Sequence, residues 1–148
     1  MKDRFEDVPV KVLGTSADPA AGAECATFTV PAGKRWEIHG WSGSLTTDAT
    51  VANRYPQLYI TLDGTIITQR YLDSVAQTAT LTTRWTFSTG ITPLAVNPAA
   101  IATNMNVGIG FFPKELPAGA TVYVVTTGIV AGDNWGVATL YGKEIPWP

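Results

Sequence analysis

The sequence predicts an all-β fold: a jelly-roll-like β-sandwich or barrel of about eight or nine antiparallel strands, with an extended N-terminal arm and a short C-terminal tail. Three observations carry this. Twenty-one threonines accompany many Val, Ile, Tyr and Trp residues, and β-branched and aromatic side chains suit a pleated, half-buried surface. Apolar and wetter residues alternate with a period of two, Leu58, Ile60 and Leu62 against Tyr59, Thr61 and Asp63, and Leu81, Thr83, Trp85 and Phe87 against Thr80, Thr82, Arg84 and Thr86. Turn signatures recur at strand-length intervals. The clearest are Val30-Pro31-Ala32-Gly33 and Leu116-Pro117-Ala118-Gly119, in which proline presets φ at the first corner and glycine lets the chain reverse.

The elements follow in order. Residues 1–25 read as an arm, charged at its start and then rich in small residues, with one short apolar run at Val8–Leu13 able to form a strand. The β domain spans 26–148. Ala26–Val30 and Lys34–Thr46 are strands divided by the first Pro-Ala-Gly turn. Asp63-Gly64 between Leu58–Leu62 and Thr65–Tyr71 marks a hairpin, and Thr78–Ser88 follows as a strand. Thr92–Asn106, with two prolines and four alanines, reads as an irregular loop of a length that often forms contacts. Strands are expected again at Asn106–Phe112, Thr121–Val130 and Gly136–Tyr141, with a turn at Gly132-Asp133-Asn134. Val122-Tyr123-Val124-Val125 is apolar on both faces, which places it mid-sheet or beneath a partner chain. The tail Ile145-Pro146-Trp147-Pro148 is not expected to continue a central strand, because both prolines lack a donor N–H.

Composition narrows the function classes. A chain of 148 residues fits one domain with a real core. Its 45% hydrophobic and 15% charged residues fall short of the roughly 25% charge typical of a soluble domain, so something other than water is expected over part of its surface. The formal charge of −2 is spread without a basic run, which is no footprint for nucleic acid. Cys25 is the single cysteine; it permits no intrachain disulfide and no multi-thiolate zinc site, and reads as a small buried hydrophobe. Met1–Asp7 holds five charges and no apolar core, and no run approaches a spanning helix, so a protein made in the cytoplasm without a membrane partner is expected.

The search for chemistry yields no catalytic, metal-binding or cofactor-binding residue, and the chain is expected not to be an enzyme. His39 is the sole histidine, alternating with Ile38 on a strand, and no Gly-x-Ser-x-Gly elbow occurs. One histidine cannot supply a double-stranded β-barrel metal site, and the contexts of Asp63, Asp73 and Asp133 lack the ligand alternation of calcium loops. Glu37 or Asp48 could meet Asp133 as a carboxylate pair; an enzyme would then show Glu37 or Asp133 in a concave pocket with a raised pKa. Gly108-Ile109-Gly110 runs into Phe111-Phe112-Pro113, not into a dinucleotide-binding helix. Arg54 is expected to pin its own connection through carbonyls or carboxylates. Trp36 and Trp85 share the inward parity of their strands. Trp41, Trp135 and Trp147 are open to exposure, as sugar-stacking platforms or interface anchors. The interface candidates are Phe5, Val122, Val124, Trp135 and Trp147.

Phe28–Ile38, Leu45–Arg54, Leu116–Thr121 and Gly132–Trp135 together resemble small virion structural proteins of tailed bacteriophages. The likeness covers most of residues 26–141 and rests on turn and strand motifs. It implies a jelly-roll or related sandwich acting as a capsid decoration or cement protein, a homotrimer on the capsid surface whose partner is the major capsid protein. Such a protein binds the assembled shell and stabilises it by bridging capsomers, by mass action, with Met1–Ala23 and Trp147 as contact elements. It is made in the host cytoplasm and takes no cofactor. Two alternatives remain at this point: a carbohydrate- or receptor-binding module of a spike or tail, with exposed aromatics among Trp41, Tyr55, Trp135 and Tyr141, and a neck or tail structural protein.

Overall fold

The computed structural model describes residues 5–63, 67–71, 76–89, 105–111 and 114–148. These hold eleven strands: β1 (Lys11–Thr15), β2 (Phe28–Thr29), β3 (Lys34–Thr46), β4 (Tyr55–Thr61), β5 (Ile67–Tyr71), β6 (Thr82–Thr89), β7 (Met105–Phe111), β8 (Lys114–Leu116), β9 (Thr121–Thr127), β10 (Asn134–Trp135) and β11 (Thr139–Pro146). A seven-stranded sheet runs β1-β11-β3-β6-β7 with β8 and β10 also on β3, and a four-stranded sheet runs β2-β9-β4-β5. The fold is an all-β sandwich, as the alternation predicts. Two strands were not foreseen, because β8 and β10, of three and two residues, are too short to show a period. Nor is every pair antiparallel. β6 and β7 run parallel, which needs a long crossover in place of a hairpin, and fifteen residues separate them in sequence. The loop expected at Thr92–Asn106 lies outside the described residues up to 104.

The thirteen residues of β3 are the spine of the larger sheet. Their first half is held between β11 and β8, their second between β6 and β10. From that sheet Trp36, Ile38, Trp41, Leu45, Trp85, Phe87, Trp135 and Leu140 meet Phe28, Leu58, Ile60, Val122 and Val124 of the other in one buried cluster. At about 25 cal/mol per Å² of apolar surface removed from water, this cluster is the main source of cohesion. Trp41 packs edge-on against Phe87 and Trp135, with centroids 5.8 and 5.6 Å away, the arrangement ring quadrupoles favour.

A β-bulge sets which residues reach this core. Gly40 lies opposite Tyr141 but Ile38 lies opposite Gly142, so His39 has no partner and the alternation of β3 shifts by one. Trp36, Ile38, Trp41 and Leu45 can then all face inward, although Trp36 and Trp41 are five residues apart. The bulge draws the strands close enough that a Cβ on Gly142 would stand 2.3 Å from the Glu37 carbonyl oxygen.

The two Pro-Ala-Gly turns meet in space. Val30 N–H donates to the Ala120 carbonyl and Gly119 N–H to that of Val30. In each turn the closing bond runs from the residue after glycine to the proline carbonyl, Lys34 to Pro31 and Ala120 to Pro117. Proline is therefore the residue before the corner, one position earlier than expected. The reason is φ: Gly33 at 71° and Gly119 at 84° take the second corner of a type II turn, which requires a positive value.

Both chain ends depart from expectation. The segment assigned to an arm is joined to the sandwich over its described residues: β1 pairs with β11, Cys25 belongs to the core, and Ser16 Oγ accepts from Ala138 N–H. Lys143 Nζ donates to the Phe5 carbonyl. Lys143 and Ile145 share the outer-face register of Glu37 and Arg35, and Phe5 and Ile145 are buried yet outside the inter-sheet cluster, so the described segment that begins at Phe5 lies on the outer face of the larger sheet. The C-terminal strand continues to Pro146, opposite Lys34. Trp147 N–H donates to Gly33, which leaves Pro146 at a position whose N–H would point away from β3, where proline loses nothing.

Candidate functional site

The outer face of the larger sheet carries a groove of about 460 Å³. Its floor comes from three adjacent strands: His39, Gly40, Trp41 and Ser42 of β3, Arg84, Thr86, Ser88 and Thr89 of β6, and Tyr141 of β11, with Val10 at one wall. Alternation explains the composition. The same period that sends Thr83, Trp85 and Phe87 inward presents Arg84, Thr86 and Ser88 outward. Arg84 Nη2 donates to Ser42 Oγ at 2.9 Å, a neutral partner. Beside the groove Glu37 is a hub: its Oε1 meets His39 Nε2 at 2.5 Å and Lys143 Nζ at 3.7 Å.

A second polar centre is interior. Arg54 is fully buried and forks onto Asp133, Nε to Oδ2 and Nη2 to Oδ1, both at 2.8 Å. Its other donors reach Asp48 Oδ1, Thr50 O and Ala52 O. Burial pushes the Asp133 carboxyl up, but bonds from Arg54, Val130 and Asp48 outweigh it and hold the carboxyl below its ordinary value. This centre ties the 48–54 connection to the 130–133 turn, the pinning role expected of Arg54, and its donors and acceptors are taken up by protein. Nearby, Glu24 Oε1 and Oε2 accept from Thr126 N–H and Oγ1, and Trp135 Nε1 donates to Thr126 Oγ1. Burial raises the Glu24 pKa against those bonds. It also pushes the Cys25 thiol up to about 12, which leaves it the inert hydrophobe that was expected.

The structure separates the residues singled out from sequence. Phe5, Val122, Val124 and Trp135 are at most 4% exposed within this single chain; four of the five interface candidates are thus covered by the protein itself. The apolar character of 122–125 arises because Val122 and Val124 face the core while Tyr123 stacks on Tyr59 outside, 5.4 Å between centroids. Trp147 alone stays open, at 42%, and lies under the Arg35 guanidinium at 4.6 Å. Trp41 and Trp135 are fully buried, so they cannot be sugar-stacking platforms, the consequence of the bulge for the first and of the pairing of β10 with Leu45 and Thr46 for the second. Asp133, with its lowered pKa and interior place, is no general acid. Among the described residues no group of three or more His, Cys, Asp or Glu side chains is placed to hold a metal ion.

Sequence reasoning brought out Tyr141 and His39 but not their neighbour Arg84. The available signal was that Arg84 is the only charged residue between Thr82 and Thr89. No protein-family model, curated protein or solved structure matches the chain.

Proposed function

We propose that the protein is a non-enzymatic structural component of a bacteriophage virion, of the capsid decoration type, which seats on the major capsid protein shell as a homotrimer and stabilises the assembled state by bridging capsomers. The observation that carries this reading is an exposed apolar rim at one end of the sandwich. Pro31, Ala32, Pro117, Ala118, Pro146, Trp147 and Pro148 are all exposed, and backbone bonds between Val30, Gly119 and Ala120 and between Gly33 and Trp147 gather them together. A rim made of tight turns and prolines loses little conformational freedom on binding. Its single large aromatic, Trp147, has the residue type enriched in binding hot spots. The likeness of 26–141 to small phage virion proteins supplies the particle, and the rim supplies the surface by which a sandwich would attach to it.

The reading is tested by counting copies in purified particles by quantitative mass spectrometry and by mixing the full chain with expanded shells. A copy number in fixed ratio to the shell subunit, with saturable binding to shells, is the expected result. Absence from particles overturns the reading, and a few copies per particle moves the protein to neck or tail.

A further inference from the structure

The groove on the outer face of the larger sheet holds a cation that meets no carboxylate among the described residues. Among the described side chains, Lys11 and Lys34 meet Glu144, Arg35 meets Glu115, Arg54 meets Asp48 and Asp133, and Lys143 meets Glu37. Arg84 alone has no carboxylate, its bond being to the Ser42 hydroxyl. An Arg guanidinium has five donors in a fixed fork matched to a carboxylate, so most of its capacity remains open. Around it the lining is rich in hydroxyls, from Ser42, Thr86, Ser88, Thr89 and Tyr141.

We propose that this groove binds a carboxylated sugar. The volume of about 460 Å³ lies within the usual range of small-molecule sites. Arg84 would take the sugar carboxylate, and Thr86 and Ser88, on the same face of β6, would take ring hydroxyls. Tyr141 contributes an apolar surface for a C–H face and a phenol for hydrogen bonding. Hydroxyls that both donate and accept suit a polyol better than a peptide side chain or a bare anion. The His39 and Glu37 pair at the edge offers a further acceptor while keeping the groove from becoming a general anion sink. This inference is independent of the attachment rim, which lies on the turns and tail.

The test is an amide-shift titration of the full chain with N-acetylneuraminic acid and glucuronate, set beside glucose, N-acetylglucosamine and acetate. The expected result is saturable shifts at groove residues with the acid sugars and about tenfold weaker response to neutral sugars and to acetate, the worth of one charge-assisted bond. Arg84→Ala, at an exposed position, should lose that tenfold while keeping its melting temperature. Thr86→Asp, which sets a carboxylate beside the guanidinium, should do the same. No saturable shift with either acid sugar, acetate binding as well as the sugars, neutral sugars matching the acids, or undiminished binding by Arg84→Ala would each overturn the proposal. Failure here leaves particle attachment untouched, and failure of shell binding leaves this site untouched.

Discussion

Arg54 uses all five of its N–H donors inside the protein, two of them on Asp133. Its removal leaves the buried Asp133 carboxylate without a counter-charge, held only by the Asp48 and Val130 N–H groups, and breaking a buried pair costs about 3–5 kcal/mol; Arg54→Met should lower stability in urea unfolding by that amount. The acidic groups set the pH response. Asp133 is held low as above, and Glu144 is held low first by the Trp36 Nε1 bond and then by Lys11 and Lys34, against its burial. A lowered pKa gives stability that is present above the unfolded value and lost as pH falls through the folded one. Glu24 has the opposite sign: burial raises it above 4.5, so its contribution is full below that value and lost as pH rises. Glu24→Gln should therefore raise the melting temperature at pH 7, and the gain should shrink as pH falls toward 4.5. A gain of equal size at both ends of that window would contradict the assignment.

Nine of the eleven strands were foreseen from alternation and turn chemistry, and β3 matches its expected span of Lys34–Thr46 residue for residue. What alternation could not show is an extra residue. Strict parity from Trp36 sends Trp41 outward, and only the unpaired His39 brings it in, a feature decided by the register of β11 far along the chain. The turn type was hidden for a related reason: Pro31 and Gly33 fit two frames, and the φ of glycine chooses between them. For the groove, His39 and Tyr141 were visible as isolated residues, while their meeting with Arg84 depends on β11, β3 and β6 lying side by side. The bulge also gives a sharp test of packing. Gly142→Ala would drive a Cβ against the Glu37 carbonyl and the Leu13 side chain, and the neighbour that must shift first is backbone. Overpacking of this kind costs about 1–3 kcal/mol. A drop in that range by chemical denaturation is expected, with the all-β circular dichroism retained; an unchanged midpoint would mean that His39 is not bulged.

At the scale of the whole molecule, the described end of the chain that was expected to reach out is instead part of the sheet, through β1 and the Lys143 bond to Phe5. In the proposed function, that leaves attachment to the opposite chain end and the turns beside it. Among the described residues the other exposed large apolar side chains are Val51, Leu62 and Val137, which stand on separate elements as single surface hydrophobes ordinarily do, and Val10 and Val12, which lie together at the start of β1, away from the rim. Trp147 differs because its backbone is fixed to Gly33 and its ring is set by Arg35, so the proposed anchor is held in position by its own chain. Such an anchor should act on attachment more than on folding. Trp147→Ala removes a ring that is 42% exposed and outside the core, so the unfolding midpoint should move little. Occupancy on expanded shells should fall by about 2 kcal/mol, roughly thirtyfold in affinity, if the ring fills a pocket on the shell. The two readouts separate the roles: lost occupancy with an intact fold marks a contact residue, while lost stability with unchanged occupancy would show that the ring serves only to hold the tail on its own domain.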